Sequence, residues 1–352
     1  MPITAPLRGR GSASNPANRF APTRSESDAQ WQEEVPVSIA TEIQEERSTT
    51  IISRNTSPDI PFDRSLNPYR GCEHGCIYCY ARPTHAYWDL SPGLDFETKL
   101  IARTNAVELL EAQLSHPSYR CAPINLGANT DPYQPIERQY RLTRGCLKVL
   151  LRYRHPVTIV TKGALILRDL DLLQALAAQN LVRVFVSLTN LDDGLKRILE
   201  PRAAAPAARL RVIRRLHESG VPVGVLCAPI IPQVNDTELE GLLAAARAAG
   251  ADSAAYTLVR LPHEVAPLFE EWLQTHLPQR AAHVLSLIRQ CRGGKLYDAG
   301  FGQRLRGEGP FAELLAQRFA VAHRRLGFKR GSELPALDCA RFAPPGRQLA
   351  LF

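Results

Sequence analysis

The sequence predicts an α/β protein whose central unit is an open, partial barrel of six βα repeats, with helices appended behind it, a disordered N-terminal arm and a loose C-terminal tail. Three observations carry this. Six short apolar runs alternate with helical stretches between Ser65 and Val259, the pattern of a parallel sheet with crossover helices. No seventh or eighth unit follows, so the barrel stays open. On either side of this region the composition shifts to Pro, Ser, Gly and charge, which cannot bury enough apolar surface to order itself.

Taken in order, residues 1 to about 55 read as a poorly ordered arm. Arg8, Arg10, Arg19 and Arg24 come without an acid, then Glu33, Glu34, Glu42, Glu45 and Glu46 follow, and Trp31 is the one large anchor. The barrel occupies about 60–265, with strands expected at Ser65–Arg70, Ile124–Asn129, Val157–Lys162, Val182–Thr189, Val221–Ala228 and Ala254–Val259. Between them, acids in the first turn and Leu172, Leu173 and Leu176 on one side mark a helix over 169–177. Asn235 and Glu238 read as a capping box ahead of Leu239, Leu242, Leu243 and Ala246, and Gly250 ends that helix. A helical extension over 266–328 carries one face of Val265, Leu268, Phe269, Trp272 and Leu273 and another of Phe311, Leu315, Phe319, Ala322 and Leu326. Residues 329–352 read as a flexible tail.

Side chains alternate along a strand, and reactive groups of such barrels gather at the C-terminal strand ends. Val182, Val184, Val186 and Leu188 face the helices, which turns Ser187 and Thr189 inward. The same phase points Asn125, Asn129, Asp131 and Lys162 into the lumen, while small Gly224 and Ala228 admit a flat ligand. Tyr133, Tyr256 and Arg260, near strand ends, are candidates for the substrate side.

The densest chemistry is in Arg70-Gly71-Cys72-Glu73-His74-Gly75-Cys76-Ile77-Tyr78-Cys79-Tyr80. Thiolates bind the corner irons of a cubane cluster, which has four corners to fill. Three local cysteines leave one iron open to a further ligand. A zinc site with His74 as fourth ligand is the alternative, although no second ligand pair follows.

This C-x3-C-x2-C run resembles the signature of radical S-adenosylmethionine (SAM) enzymes. The resemblance implies a TIM-like partial (β/α)6 barrel and a [4Fe–4S] cluster on Cys72, Cys76 and Cys79. It also implies SAM chelated to the open iron and cleaved to a 5′-deoxyadenosyl radical. Asn67-Pro68-Tyr69-Arg70-Gly71-Cys72, Tyr80-Ala81-Arg82, Thr161-Lys162-Gly163 and Val186-Ser187-Leu188-Thr189 resemble, more narrowly, the group related to spore photoproduct lyase. By position this implies that Tyr78 and Tyr80 flank SAM and that Asn129, Lys162 and Ser187 hold its polar groups; Asp131, turned inward by phase, is a further cofactor-binding candidate. Backbone near Ala228 would meet the adenine. One departure stands out: the lyases carry a hydrogen-donating cysteine where this chain has Ala128, so the spore lesion is not the expected substrate.

Net charge is +8, with 43 Lys and Arg against 35 Asp and Glu, which permits a polyanionic partner. The helical region 289–330, with Arg289, Arg292, Lys295, Arg304, Arg306, Arg318, Arg324, Arg325, Lys329 and Arg330, is a candidate phosphate-binding face. The closing Gln348-Leu349-Ala350-Leu351-Phe352 resembles the peptide by which bacterial repair proteins dock on the sliding clamp. No apolar run approaches the ~20 residues of a membrane span, and no hydrophobic signal region opens the chain, so a cytoplasmic monomer is expected. A small reductant such as flavodoxin or ferredoxin is the expected electron donor. Three functions remain open: a radical SAM enzyme acting on nucleic acid, with DNA-repair-like lyase or modification chemistry; one modifying a protein or small molecule; and a non-catalytic, metal-stabilised scaffold for the clamp.

Overall fold

The computed structural model describes residues 7–20 and 39–345. The described strands are β1 (Glu42–Glu46), β2 (Ile52–Arg54), β3 (Arg64–Leu66), β4 (Tyr69–Arg70), β5 (Lys99–Arg103), β6 (Ile124–Leu126), β7 (Val157–Thr161), β8 (Val182–Ser187), β9 (Val223–Ile230) and β10 (Ser253–Leu258). Seven of them form one sheet in the order β10-β9-β8-β7-β6-β3-β2. Its six members from β3 to β10 are mutually parallel, and β2 joins antiparallel. The six βα units are therefore present, and β10 and β2 are left as the two edges of an open barrel.

β-branched residues make the inner strands. Val157 and Ile159 on β7, Val182, Val184 and Val186 on β8, and Val223 and Val225 on β9 are all buried against the helix layer, as strands covered on that face require. The expected helix over 169–177 is Leu170–Ala177, with Leu172, Leu173 and Leu176 inward. Among the described residues, no helix is long and apolar enough to cross a membrane.

Four expectations change. The strand foreseen over 65–70 breaks at Asn67-Pro68: Pro68 has no N–H to give a ladder, and Tyr69–Arg70 crosses into a second sheet, β1-β5-β4. β6 stops at Leu126 because Gly127 takes φ +98°, a conformation that glycine adopts readily. Asn235 does not cap the helix Leu239–Ala248. It is fully buried and ties the β8 and β9 ends together, accepting from the Ile231 amide (2.6 Å) and donating to Thr189 O (2.8 Å) and Pro229 O (3.0 Å). The basic region 289–330 is also more committed than its sequence implied. Arg292 is buried and donates to the carbonyls of Leu258, Val259, Gln303 and Arg304, and Arg318 pairs with Glu240 at 2.7 Å.

The described parts of both termini are docked instead of loose. Residues 7–20 lie against the cysteine loop, β1 pairs with β5, and residues 329–345 form a strap across the N-terminal end of the barrel. Polar segments held through backbone hydrogen bonds carry no apolar periodicity, which is why composition alone read them as disordered. Trp31 and Gln348–Phe352 lie outside the described residues.

The helices Val265–His276 and Pro278–Gln290 close over the cysteine loop, Phe269 and Trp272 sharing one buried apolar cluster with Ile77 and Tyr78. The loop after Gln290 reaches to the opposite edge of the sheet. Arg304 Nε meets Asp59 Oδ2 at 2.6 Å, and the Gly302 amide donates to Asp59 Oδ1 at 2.7 Å.

His155 is fully buried, its Nε2 2.8 Å from Tyr119 OH and its Nδ1 2.9 Å from Pro156 O. Burial pulls its pKa down to about 4, with the Pro156 carbonyl opposing. A neutral imidazole in the fold contributes stability that is fully present above the unfolded value near 6.5 and is lost as pH falls toward 4. Between pH 7 and 5 this group is expected to cost roughly 2 kcal/mol. Urea midpoints should fall over that interval, and His155→Gln should flatten the slope. An unchanged slope would remove His155 from the account.

Candidate metal centre and cofactor mouth

The cysteine loop begins where β4 ends and is held by backbone geometry that side chains would obstruct. Gly71 and Gly75 take φ +72° and +67°. A Cβ on Gly71 would lie 2.8 Å from Leu100 and 2.9 Å from Phe96 O, and one on Gly75 2.7 Å from Glu97 Oε2. The Cys72 amide donates to Phe96 O (2.8 Å), that of Cys79 to Cys76 O (3.2 Å), and that of Ile77 to Leu199 O (3.2 Å). Cys72 and Cys76 are buried and Cys79 is half-buried at the lip.

Under the loop lies a fully buried ion pair, Arg82 with Glu97. Arg82 Nε donates to Cys76 O at 3.0 Å, and its Nη1 to Gly93 O at 2.9 Å and Pro92 O at 3.1 Å. Glu97 accepts from the amides of Gly11 and Ser12, each at 2.9 Å. The segment 7–20 is thus fastened directly beneath the cysteines.

His74 faces a carboxylate: its Nδ1 sits 3.3 Å from Asp131 Oδ2. Asp131 also accepts from Thr161 Oγ1 and the Lys162 amide, each at 2.6 Å. Burial alone would raise this carboxyl, but His74 and those donors hold it at about 2. The loop is thereby pinned to the end of β7.

Beside it, Lys162 Nζ donates to Ser187 Oγ at 2.7 Å, and Ser187 Oγ donates to Ala228 O at 3.1 Å. These residues come from the C-terminal ends of β7, β8 and β9. Lys162 Nζ lies 5.9 Å from the Tyr78 ring centre. Behind this trio, Glu200 is fully buried and accepts from Tyr78 OH, Arg209 and Thr189 Oγ1. Burial opposes its charge, yet Arg209 and Lys162 bring its pKa to about 2. Burial also lifts the Cys76 thiol to about 12, Glu200 adding to the rise and Lys162 opposing it, so a metal must displace that proton on binding.

A match to the family described as "Radical SAM superfamily" spans residues 66–246. The chain belongs to the radical SAM superfamily. Its cofactors are accordingly a [4Fe–4S] cluster and SAM, and it is an enzyme of that superfamily. An uncharacterised protein of Mycobacterium tuberculosis is 39% identical over 233 residues, 66% of this chain and 68% of that one. Another from Methanocaldococcus jannaschii is 28% identical over 173 residues, 49% and 62% of the two chains. A point mutant of spore photoproduct lyase superposes with a TM-score of 0.59 at 14% identity, covering 81% of this chain and 80% of that one. Spore photoproduct lyase complexed with dinucleoside spore photoproduct gives 0.58 at 16% over the same shares. At such identity the likeness is one of fold.

For this radical SAM fold, the residues that sequence singled out divide into two groups. Cys72, Cys76, Cys79, Tyr78, Lys162, Ser187 and Ala228 converge at one mouth. Tyr80 joins them at the lip, its hydroxyl donating to Ala128 O and its ring lying 4.2 Å from the Arg260 guanidinium. Asn129 is exposed at the rim, its amide donating to Asn67 Oδ1 at 3.0 Å. Asp131 is spent on holding the loop. Tyr133 and Tyr256 do not reach the mouth. Tyr133 is buried in the core, and Tyr256 packs at 4.7 Å on Phe319, a residue of the helix Gly309–Arg325. Both take the helix-facing phase of their segments.

Glu97, Glu200 and Arg209 went unrecognised because each is an ordinary charged residue whose partner is distant or on another element. Removing one member of a buried pair strands the other charge, at a cost of about 3–5 kcal/mol. Arg82→Met is therefore expected to lower the thermal midpoint and to free residues 7–20 for proteolysis. Unaltered cleavage in that segment would mean that the ion pair does not fasten it.

Proposed function

We propose that this protein is a radical SAM enzyme that abstracts a hydrogen atom from a nucleic-acid substrate, in a lyase or modification reaction. The observation carrying the radical chemistry is the convergence of a three-cysteine loop with Lys162, Ser187 and Ala228 at the C-terminal strand ends. Three soft thiolates suit an iron–sulfur cluster. No second pair of ligands accompanies the three cysteines in the sequence as a structural zinc site would require, which favours the cluster over zinc.

Cys72, Cys76 and Cys79 would ligate three irons. When bound, the cluster would supply the electron for reductive cleavage of SAM. The remaining work falls to the chain. Lys162 would neutralise the SAM carboxylate, and Ser187 Oγ and Ala228 O would receive its polar groups. Tyr78, anchored by Glu200, would wall the pocket, with Tyr80 and Asn129 on its rim. The helices Val265–His276 and Pro278–Gln290 exclude water from behind the loop.

Nucleic acid as substrate is supported by the +8 charge and by two guanidinium-on-ring pairs, one of them at the lip of the mouth. Arg260 lies over Tyr80, and Arg70 lies 3.8 Å from the Trp88 ring. Such faces stack bases. The similarity in fold to a spore photoproduct lyase complexed with dinucleoside spore photoproduct is in keeping with such a substrate. A flavodoxin or ferredoxin would supply electrons, and Gln348–Phe352 would tether the enzyme to a sliding clamp.

Anaerobic reconstitution with iron and sulfide, followed by dithionite and SAM, is expected to give 5′-deoxyadenosine. Alanine at Cys72, Cys76 or Cys79 should abolish it, and absence of product from the native chain would end the catalytic reading. Lys162→Met should weaken SAM binding about 10–100-fold, roughly 1.4–2.8 kcal/mol. Oligonucleotide affinity should fall steeply with salt; affinity indifferent to salt would point to a substrate that is not a polyanion.

A further inference from the structure

Five cysteines lie outside the cluster loop. Cys146, Cys227 and Cys291 are buried, whereas Cys121 and Cys339 are half-buried and meet each other. Cys121 sits in the loop leading into β6, at the N-terminal end of the parallel strands and so on the opposite end of the barrel from the SAM mouth. Cys339 opens a short 3-10 turn, Cys339–Arg341, within the strap.

The strap is fixed on both sides of Cys339. The Asp338 amide donates to Asn180 O and that of Ala343 to Tyr153 O, each at 3.1 Å, and Asn180 Nδ2 donates to Ala336 O at 2.8 Å. Phe342 packs on Tyr119 at 5.5 Å and on His155 at 5.3 Å. Tyr119 and Phe342 thus hold the two cysteine-bearing segments side by side, and Cys339 is near enough to Cys121 to perturb its thiol.

We propose that Cys121 and Cys339 are an oxidisable dithiol that staples the strap to the floor of the barrel when a low-molecular-weight disulfide is present. One protein thiolate attacks the external disulfide, forming a mixed disulfide and releasing one thiolate. The second protein thiolate then attacks the mixed disulfide, forming the Cys121–Cys339 bond and releasing the other. Two protein thiols lose two electrons and two protons, and the external disulfide is reduced to two thiols. Burial and the neighbouring Cys339 raise the Cys121 pKa. That suits Cys121 to the second, intramolecular attack, after Cys339 has been capped and no longer opposes its ionisation. The bond would join segments far apart in sequence, so it constrains a large loop of the unfolded chain. This inference is independent of the substrate.

The test uses the full chain with its cluster loaded, treated anaerobically with oxidised glutathione, then digested and mapped by mass spectrometry. A peptide linking Cys121 to Cys339 is expected, with loss of exactly those two thiols. Cys339→Ser should give no link, and Cys121→Ser a single glutathione adduct on Cys339. Trypsin should cut at Arg330 and Arg341 at least several-fold more slowly in the oxidised native chain than in oxidised Cys339→Ser, and 5′-deoxyadenosine formation should persist in both. Recovery of Cys121 and Cys339 as separate thiols or stable adducts would overturn the proposal, as would a cutting rate that oxidation leaves unchanged.

Discussion

The metal loop at the cofactor mouth rests on the buried contact between Arg82 and Glu97. A lone charge at that depth would be prohibitive, and even a pair is tolerable only when its remaining donors and lone pairs are satisfied. Here they are. Cys76, Pro92 and Gly93 provide carbonyls on one side, and Gly11 and Ser12 provide amides on the other. The pair therefore does three things with one set of contacts. It fixes the carbonyl of a cysteine, shapes the turn at residues 92–93, and seats a segment from the start of the chain.

A second ion pair repeats the strategy deeper in the barrel. Glu200 gathers Arg209, Tyr78 and Thr189, and Arg209 also donates to the carbonyls of Ser187 and Ala204. Lys162 stands 3.9 Å from the same carboxylate. Its ammonium is thus held in place by fixed charge before any ligand arrives, which reduces the ordering cost of binding. The two ion pairs differ in what they organise: one carries the metal loop, the other the groups facing it.

Much of this could be read directly from the chain. Short apolar runs gave the six parallel strands, and on β7, β8 and β9 β-branched residues with period two marked the buried, helix-facing side. The cysteine spacing located the metal loop, and strand phase placed Lys162 and Ser187 on the same face. What escaped was everything held by polar contacts across long separations. Asn235 looked like a helix cap because its local sequence allows one, yet its amide was claimed by two strand ends. Tyr133 and Tyr256 stand near strand ends, but their rings fill the core. Arg292, counted among surface cations, is occupied by four carbonyls. Side-chain type does not reveal whether a charge will face water or a ring of backbone oxygens.

The helices Val265–His276 and Pro278–Gln290 roof Cys76, Ile77 and Tyr78, although they are made nearly two hundred residues later. The metal loop is therefore backed by a segment from the far end of the chain, and its apolar side is closed only once those two helices have docked on it.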